Sequence, residues 1–318
     1  MTLQTRARAL AGRGRRYVRA RLTPAPPVFA TALPRPVPTG WTEPELRRVM
    51  ESFGIDDAPP EALAGYVDEA FWRFLHTWGC VRDAHGMVLE LGANPYYLTY
   101  MLRHFTDLEP TLANFFGSER GTLVQEVHWR GRDGSEHAEK LRCDLFNLEE
   151  DPFPYADSSF DVVLFCEILE HLLMDPLQVV REIHRVLAPK GRLVLTTPNV
   201  ARIENVLALM AGVNIYDPYS GYGPYGRHNR EYTMHDLARL LRFCGFTIER
   251  QFSADSRAPI TPYEQHPAYD AVAPALAFRK DDLGQYLFVV ARPTAPPTEG
   301  LPAFLYRSYP QDQIVDAG

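Results

Sequence analysis

Short apolar runs alternate with amphipathic segments through the middle of the chain. Residues 87–91, 160–166 and 191–197 are apolar runs of strand length, and apolar residues recur at helical spacing between and after them. Strands that alternate with helices favour a mostly parallel sheet covered by helices on both faces. The pattern therefore predicts an α/β fold with a doubly wound sheet.

The remaining elements follow from the same periodicity and from helix-capping residues. Thr233 followed by Asp236 is a capping-box pair that opens a helix, and Thr42 with Glu45 is a similar pair near the start of the chain. The other predicted elements are helices at 95–104 and 175–187, and strands at 111–115, 246–250 and 285–291.

Four zones divide the chain. Residues 1–40 form a basic arm and a Pro-rich linker, and residues 41–85 form a helical cap. Residues 86–292 form the α/β domain, with two strands around a Gly-containing turn at about 119–142 that we interpret as a β-hairpin insertion. Residues 293–318 form a Pro-rich tail that carries aromatic residues for packing.

Composition is ordinary for a soluble globular protein, with 46% hydrophobic and 23% charged residues. No apolar run approaches the roughly 20 residues of a membrane span, and no signal-peptide pattern is present. The four cysteines are scattered and none forms a CxxC pair, which indicates buried thiols in a reducing compartment. We therefore expect a cytoplasmic protein.

Charge is distributed unevenly. The net charge is −7, yet residues 1–42 contain eight Arg and no acidic residue. A basic arm on an acidic body is typical of contact with a phosphate-rich partner, a nucleic acid or a membrane surface, although a solvated, poorly ordered terminus is the favoured explanation. Peripheral membrane contact through this arm is one open hypothesis, and the oligomeric state is not determined.

A candidate cofactor site lies where the first apolar strand ends. Glu90 stands near the end of the strand and Gly92 follows in the turn before a helix, where a doubly wound sheet binds ligands. A nicotinamide dinucleotide would require GxGxxG, which this chain lacks. One glycine and an acid instead suit the sulfonium and amino groups of S-adenosylmethionine (SAM).

A run of motifs strengthens this interpretation. Cys143-Asp-Leu, the strand 160–166, Leu169-Glu-His-Leu and the segment 186–199 follow one another in a specific order. This run resembles the middle of class I SAM-dependent methyltransferases of the UbiE/UbiG-like group, over about residues 86–250. The resemblance implies a Rossmann-like, seven-stranded sheet and a transferase activity.

The resemblance also implies roles for particular residues. Glu90, Gly92 and Ala93 would line the methionine end of SAM, and Asp144 and Leu145 would flank the adenine. Two positions depart from the family pattern. Asn94-Pro95 stands where a second glycine is usual, and Asn114 stands where an acid usually holds the ribose hydroxyls, a task that an amide can also perform.

Candidate chemistry follows the strand 160–166 directly. In Glu167-Ile-Leu-Glu170-His171, a helical turn would place the two carboxylates and the imidazole on one face, where oxygen and nitrogen donors suit a metal ion. His228, in a later loop, is a candidate fourth ligand. Glu167 is also a candidate for contact with SAM because it adjoins the strand end.

The motif is similar to that of two groups, the catechol O-methyltransferases of the ubiquinone pathway and the small-RNA 2′-O-methyltransferases. In both, the resemblance implies a divalent ion, Mg²⁺ or Mn²⁺, that binds two neighbouring acceptor oxygens. The pair Glu170-His171 also occurs in metal-free relatives. In that alternative, His171 or His228 acts as a general base.

The leading functional hypothesis is therefore an O-methyltransferase that acts on a sugar, a polysaccharide or another small molecule with adjacent hydroxyls. The Tyr-rich segment 216–225 suits stacking on a sugar or an aromatic ring, and packing against the helices of residues 41–85 is an equal alternative. The alternatives are an RNA 2′-O-methyltransferase, which the acidic body disfavours, and a SAM-fold scaffold without activity.

Overall fold

The structure is a computed structural model that describes residues 34–56, 58–117, 119–279 and 281–315. The strands are β1 (Gly54–Ile55), β2 (His85–Leu91), β3 (Asp107–Asn114), β4 (Gly121–Arg130), β5 (Glu136–Leu145), β6 (Phe160–Cys166), β7 (Leu187–Pro198), β8 (Phe246–Ala254), β9 (Tyr286–Pro293), β10 (Leu301–Pro302) and β11 (Ile314–Val315). The α-helices are α1 (Glu43–Glu51), α2 (Pro60–Gly79), α3 (Tyr97–Phe105), α4 (Pro176–Val186), α5 (Ile203–Met210), α6 (Met234–Phe243) and α7 (Tyr269–Leu276).

Nine strands form the central sheet in the order β1-β4-β5-β3-β2-β6-β7-β9-β8. The five strands from β5 to β7 in this order are parallel, whereas β9 is antiparallel to both of its neighbours. The chain proceeds from β2 to one side and then returns to the other side, so the strand order reverses between β2 and β6. The predicted doubly wound, mostly parallel sheet is confirmed. It has nine strands because β1 and β4 extend one edge.

Apolar side chains cover both faces of this sheet because successive residues of a strand point to opposite sides. On β2, Val88 packs into a cluster with residues of α1, α2 and α3, while Leu89 packs into a second cluster with residues of α4 and α6. Both side chains are fully buried. The cap helices α1 and α2 therefore belong to the core of one face.

Two helices begin with the capping boxes that the sequence predicts. The Thr42 hydroxyl accepts a hydrogen bond from the backbone of Glu45, whose carboxylate accepts one from the backbone of Thr42. Thr233 and Asp236 form the same reciprocal pair at the start of α6. Such side chains satisfy amide groups that have no partner within the helix.

The segment interpreted as an inserted hairpin has two different arms. β4 and β5 pair antiparallel from Gly121 opposite Leu145 to Arg130 opposite Glu136. However, β5 also pairs parallel with β3, so the second arm is itself a strand of the core sheet. Of the two arms, therefore, only β4 is an insertion. β5 is a strand of the parallel sheet, and its buried residues Leu141, Cys143 and Leu145 suit that central position.

The two ends of the chain differ in what the structure describes. The tail packs on the domain: Tyr306 is buried, and its hydroxyl hydrogen-bonds to Asp175 at the start of α4. Seven of the eight Arg of the predicted basic arm lie outside the described residues. No described helix combines the length and the apolar character that a membrane-spanning segment needs.

A buried histidine makes the fold sensitive to acid. His76 of α2 is 7% exposed and lies beside the rings of Phe252 and Phe288, at centroid distances of 5.9 and 5.4 Å. Burial, together with the charges of Arg35 and Arg250, lowers the pKa of His76 from 6.5 to about 4. The folded protein therefore binds this proton more weakly than the unfolded chain does.

We expect the contribution of neutral His76 to be complete above about pH 6.5 and to be lost as the pH falls towards about 4. The pKa difference corresponds to roughly 3 kcal/mol of unfolding free energy. Urea unfolding across this range measures the loss, and His76→Phe should remove that part of it. An unchanged pH dependence in His76→Phe would assign the acid sensitivity to other groups.

Candidate functional site

The turn after β2 lies at the edge of the sheet where the strand order reverses. Gly92 has φ 67° and is exposed, and a Cβ at this position would lie 3.0 Å from the side chain of Ile168. The backbone amides of Gly92 and Ala93 both donate to the carbonyl of Ala113 on β3. These bonds hold the turn close to the ends of both strands, and they require the left-handed backbone that glycine adopts readily.

Glu90 lies beneath this turn. It is 4% exposed, and its Oε2 accepts a hydrogen bond of 2.7 Å from the hydroxyl of Thr99 on α3. Burial raises the pKa of Glu90 to about 8, and the bond from Thr99 opposes this shift in part. The predicted cofactor residue therefore supports the turn from inside, at the contact between β2 and α3.

A polar network occupies the two positions that depart from the family pattern. Asn114 Oδ1 accepts from the Asn94 backbone amide at 3.1 Å, and Asn114 Nδ2 lies 3.0 Å from Cys143 Sγ and 3.5 Å from the Tyr96 hydroxyl. Gln125 of the additional strand β4 accepts from Tyr96 and Asn94 at 2.6 and 3.4 Å. Asn114 is 6% exposed and uses its amide within the protein, which the sequence did not reveal.

The predicted adenine residues lie at the end of β5. Asp144 pairs with Ala113 of β3, and its Oδ2 accepts a hydrogen bond of 3.0 Å from the Tyr155 hydroxyl. Its side chain remains 27% exposed, whereas Leu145 is buried. Asp144 therefore lies on the strand next to β3, opposite Ala113, and the carbonyl of Ala113 accepts the hydrogen bonds from the glycine turn.

Glu167 directly follows β6, as predicted, but it does not begin a helix. Its φ is 56°, and only a short 3-10 turn, Leu169–His171, follows. Glu167 Oε1 accepts a hydrogen bond of 2.8 Å from the Thr196 hydroxyl and lies 3.8 Å from the Arg73 guanidinium. The helical spacing that would align Glu167 with Glu170 and His171 is therefore absent, and its carboxylate points to β7 and α2.

Glu170 is the most buried acidic side chain at this edge, with no exposed surface. Its Oε2 accepts a hydrogen bond of 2.8 Å from the Thr197 hydroxyl, while its Oε1 has no hydrogen-bond partner. Burial, together with the nearby carboxylate of Glu167, raises the pKa of Glu170 to about 8. A buried oxygen without a partner is costly, so it marks a place where a ligand is expected.

Backbone hydrogen bonds bring the loop that carries His228 to this turn. The amides of Asn229 and Arg230 donate to the Glu170 carbonyl at 2.7 and 3.1 Å. The Asn229 side chain donates to the His171 carbonyl at 2.9 Å. As a result, the rings of His171 and His228 lie 5.0 Å apart although 57 positions separate them in the sequence.

Hydrogen bonds also determine which imidazole nitrogen faces the site. His171 Nδ1 lies 3.0 Å from the Arg227 carbonyl, which can only accept, so the proton is on Nδ1. His228 Nδ1 lies 3.0 Å from Glu231 Oε1, and Glu231 also binds Arg202. Both histidines thus keep Nε2 available, and carboxylate–histidine pairs of this kind commonly orient metal ligands.

Burial and neighbouring charges shift the pKa values of His171 and His228 in opposite directions. Burial and the neighbouring His228 lower the pKa of His171. For His228, burial acts in the same direction, but its hydrogen bond to Glu231 and the charges of Glu170 and Asp217 raise its pKa overall. Among the described residues, Glu170, His171 and His228 form one group whose potential ligand atoms all lie within 4.8 Å of one another.

The donor set is one carboxylate and two imidazoles, which is a common set for divalent ions in proteins. Glu170 Oε1 and His171 Nε2 are 3.9 Å apart, too far for a direct hydrogen bond. Glu167 is not part of this group. A second group of Asp217, His228 and Glu231 shares only His228 with it.

Sequence reasoning missed three side chains around this site. Arg73 lies in the cap and no local pattern marks it. Glu231 follows His228 by three residues, a spacing that could have indicated the pair. Asp217 Oδ2 accepts from the His228 backbone amide at 3.0 Å and thereby ties the Tyr-rich loop to the same histidine.

Comparison with known proteins gives a consistent match over part of the chain. Residues 126–195 match the family model described as "Methyltransferase domain". A protein of Mycolicibacterium smegmatis, named a probable S-adenosylmethionine-dependent methyltransferase, is 36% identical over 103 residues, which are 32% of this chain and 34% of the relative. The chain therefore matches about a third of the length of this curated relative.

Two solved structures overlap a larger part of the chain. One is from the complex between the Haloferax volcanii Trm112 methyltransferase activator and a methyltransferase, with 19% identity over 73% of this chain and 92% of that chain, and a TM-score of 0.45. The other is a SAM-dependent methyltransferase from Archaeoglobus fulgidus, with 13% identity over 69% and 90% of the two chains, and a TM-score of 0.42.

Proposed function

We propose that this protein, whose residues 126–195 match the methyltransferase-domain model, is a SAM-dependent O-methyltransferase assisted by a divalent metal ion. Its acceptor in this proposal is a hydroxyl of a sugar or of another small molecule with adjacent hydroxyls. One observation carries the proposal: Glu170 is fully buried at the sheet edge, and its partnerless oxygen belongs to a group with two imidazoles.

The switch point between β2 and β6 supports the SAM part of the proposal. Doubly wound sheets bind ligands at this edge, and the exposed backbone of Gly92 offers close approach there. Asp144 is half-buried on β5, two strands from β2, and keeps part of its carboxylate exposed. Bound SAM would supply an electrophilic methyl group on its sulfonium. The Asn114 amide is already hydrogen-bonded to Asn94 and Cys143, so Asp144 is the better candidate for contact with the nucleoside.

The donor set fits a divalent ion held by Glu170, His171 and His228. A carboxylate oxygen and two neutral imidazole nitrogens are acceptable to Mn²⁺, Fe²⁺, Co²⁺ or Zn²⁺, and Mg²⁺ accepts imidazole less readily. An ion at such a site would lower the pKa of an acceptor hydroxyl and orient it. The family resemblance favours Mg²⁺ or Mn²⁺ among these.

The residues of the chain have distinct tasks in this proposal. The Arg227 carbonyl and Glu231 each accept a hydrogen bond from Nδ1 of His171 and His228, so Nε2 is the nitrogen that each neutral ring would offer to an ion. Thr197 keeps the Glu170 carboxylate oriented through Oε2. If no ion binds, the same unprotonated Nε2 atoms are positioned to accept the hydroxyl proton, which is the metal-free alternative.

The loop around 216–226 supports the choice of acceptor. Three of its tyrosines are almost completely exposed, Tyr216, Tyr219 and Tyr222, with 83%, 91% and 93% of their surface accessible. Aromatic faces of this kind suit stacking on a sugar or an aromatic ring. The loop is tied to His228 through Asp217, so a ring bound to these tyrosines would lie beside the proposed metal ligands.

Two measurements test the proposal. Calorimetric titration should give micromolar affinity for SAM or for its demethylated product. Radiolabelled methyl transfer from SAM should then be followed with a panel of sugars, catechols and short RNAs. We expect transfer to a vicinal-diol small molecule, loss of transfer in EDTA, and recovery on addition of Mn²⁺ or Mg²⁺.

The possible outcomes separate the alternatives. Full activity in EDTA would indicate general-base catalysis by a histidine. Transfer to RNA alone would replace the small-molecule acceptor by a nucleic acid. Absence of SAM binding would contradict the proposed enzyme and favour a scaffold.

A further inference from the structure

Arg73 reaches from the cap helix α2 to the end of β6. It is 5% exposed, and its guanidinium donates to the Tyr66 hydroxyl at 2.9 Å. The group also lies within 5.7 Å of the ring centroids of Tyr66, Phe74 and Tyr286. Burial alone would lower the pKa of Arg73, but the negative charge of Glu167 outweighs it and raises the pKa above its usual value.

The charge that Arg73 meets in this aromatic surrounding is Glu167. Arg73 Nη1 lies 3.8 Å from Glu167 Oε1, and the Thr196 hydroxyl donates to the same oxygen at 2.8 Å. The backbone of Glu167 is fixed as well, because its amide donates to the Thr196 carbonyl at 2.9 Å. Three contacts therefore direct this side chain towards α2 and β7.

This arrangement separates two acids that the sequence motif places three residues apart. Glu170 belongs to the group with His171 and His228, whereas Glu167 does not. A buried guanidinium needs an anionic partner, and Glu167 supplies it. If Glu167 turned towards the metal group, Arg73 would remain buried without a counter-charge.

We propose that Arg73 is a positioning residue that keeps Glu167 out of the metal coordination, so that the site has three protein ligands. This inference rests on the proposed function, since it concerns the same metal site. Three ligands leave positions open for acceptor oxygens, as catalytic metal sites require, whereas a fourth protein ligand would close one of them. Through Arg73, the cap would limit the number of protein ligands that a bound ion receives.

Mn²⁺ binding to the full chain tests this inference without an acceptor. Glu167→Gln keeps the shape of the side chain and removes its charge, and we expect the Mn²⁺ dissociation constant measured by calorimetry to stay within about threefold of the wild-type value. Glu170→Gln should raise it at least about 10-fold, the lower limit for disturbing a metal site. Equal weakening in both variants would show that Glu167 is a ligand and would overturn the inference.

Arg73→Met provides the second arm, because methionine fills the aromatic surrounding but frees Glu167. We expect Mn²⁺ to bind about 10-fold more tightly. The water-proton relaxation enhancement of bound Mn²⁺ should fall, because a carboxylate replaces a coordinated water. Both effects should disappear in the double variant Arg73→Met/Glu167→Gln, which separates ligation from general structural change.

The remaining outcomes are also decisive. Unchanged affinity and relaxation in a folded Arg73→Met protein would overturn the role of Arg73. If Arg73→Met does not fold, Glu167→Gln still decides whether Glu167 is a ligand. If the wild type binds no Mn²⁺ but Arg73→Met does, the three-ligand site of the proposed function is wrong while the restraint by Arg73 stands. Absence of binding in both contradicts both proposals.

Discussion

Glu170→Gln is expected to weaken Mn²⁺ binding at least about 10-fold and to lower methyl transfer at least about 10²-fold, the usual scale for losing a catalytic group. The amide keeps the size of the side chain but cannot lose a proton to give the anionic oxygen that an ion beside the two imidazoles would bind. SAM binding should persist, because Glu170 lies beyond β6 from the glycine turn. Folding should also persist, because burial favours the uncharged form of Glu170, and the amide matches that form in size and in lacking charge.

Glu90→Gln is a matched control for this variant. Glu90 is also buried, its carboxylate also accepts from a threonine hydroxyl, and burial raises its pKa to the same value of about 8. It lies outside the group of Glu170, His171 and His228. Mn²⁺ affinity should therefore be unchanged in Glu90→Gln. Loss of Mn²⁺ binding in both variants would attribute the effect to buried charge in general.

Gly92→Val is expected to abolish SAM binding, measured by calorimetric titration. Valine at φ 67° has a strained backbone, at a cost of about 1–3 kcal/mol, and its Cβ would lie 3.0 Å from Ile168. The branched side chain would also occupy the edge of the sheet where the ligand is proposed to lie. The turn would have to move away from Ala113, to which the amides of Gly92 and Ala93 both donate.

Gly134→Val is a control that introduces backbone strain without filling the proposed SAM site. Gly134 has φ 86° in the turn between β4 and β5, and no atom lies within 4 Å of an added Cβ. This variant should lose stability in the same manner as Gly92→Val but keep SAM binding. Undiminished SAM binding in Gly92→Val would show that the cofactor site has been assigned to the wrong turn.

Three neighbouring acidic residues therefore have different roles. Glu90 supports the glycine turn, Glu167 balances Arg73, and Glu170 is available to a ligand. Burial raises the pKa of all three carboxyl groups. Their hydrogen-bond partners distinguish them, since Glu170 alone among the three has a buried oxygen without a partner.

The sequence by itself determined the sheet and the position of the candidate site. Apolar runs of strand length, such as 160–166, predict buried parallel strands because both of their faces must be covered. Capping residues such as Thr42 and Thr233 locate helix starts because they satisfy amides one turn away. These signals are local, and the structure confirms the elements that they predict.

Only the tertiary structure decided which of the candidate side chains meet. The predicted helical turn would have joined Glu167 to Glu170 and His171, but the backbone of Glu167 is left-handed and its carboxylate pairs with Arg73, 94 positions away in the sequence. The Asn114 side chain likewise hydrogen-bonds to Asn94 and Cys143. His228 reached His171 through backbone bonds to the Glu170 carbonyl. Contacts between distant segments depend on how helices and loops pack over the sheet, and spacing along the chain carries no record of that packing.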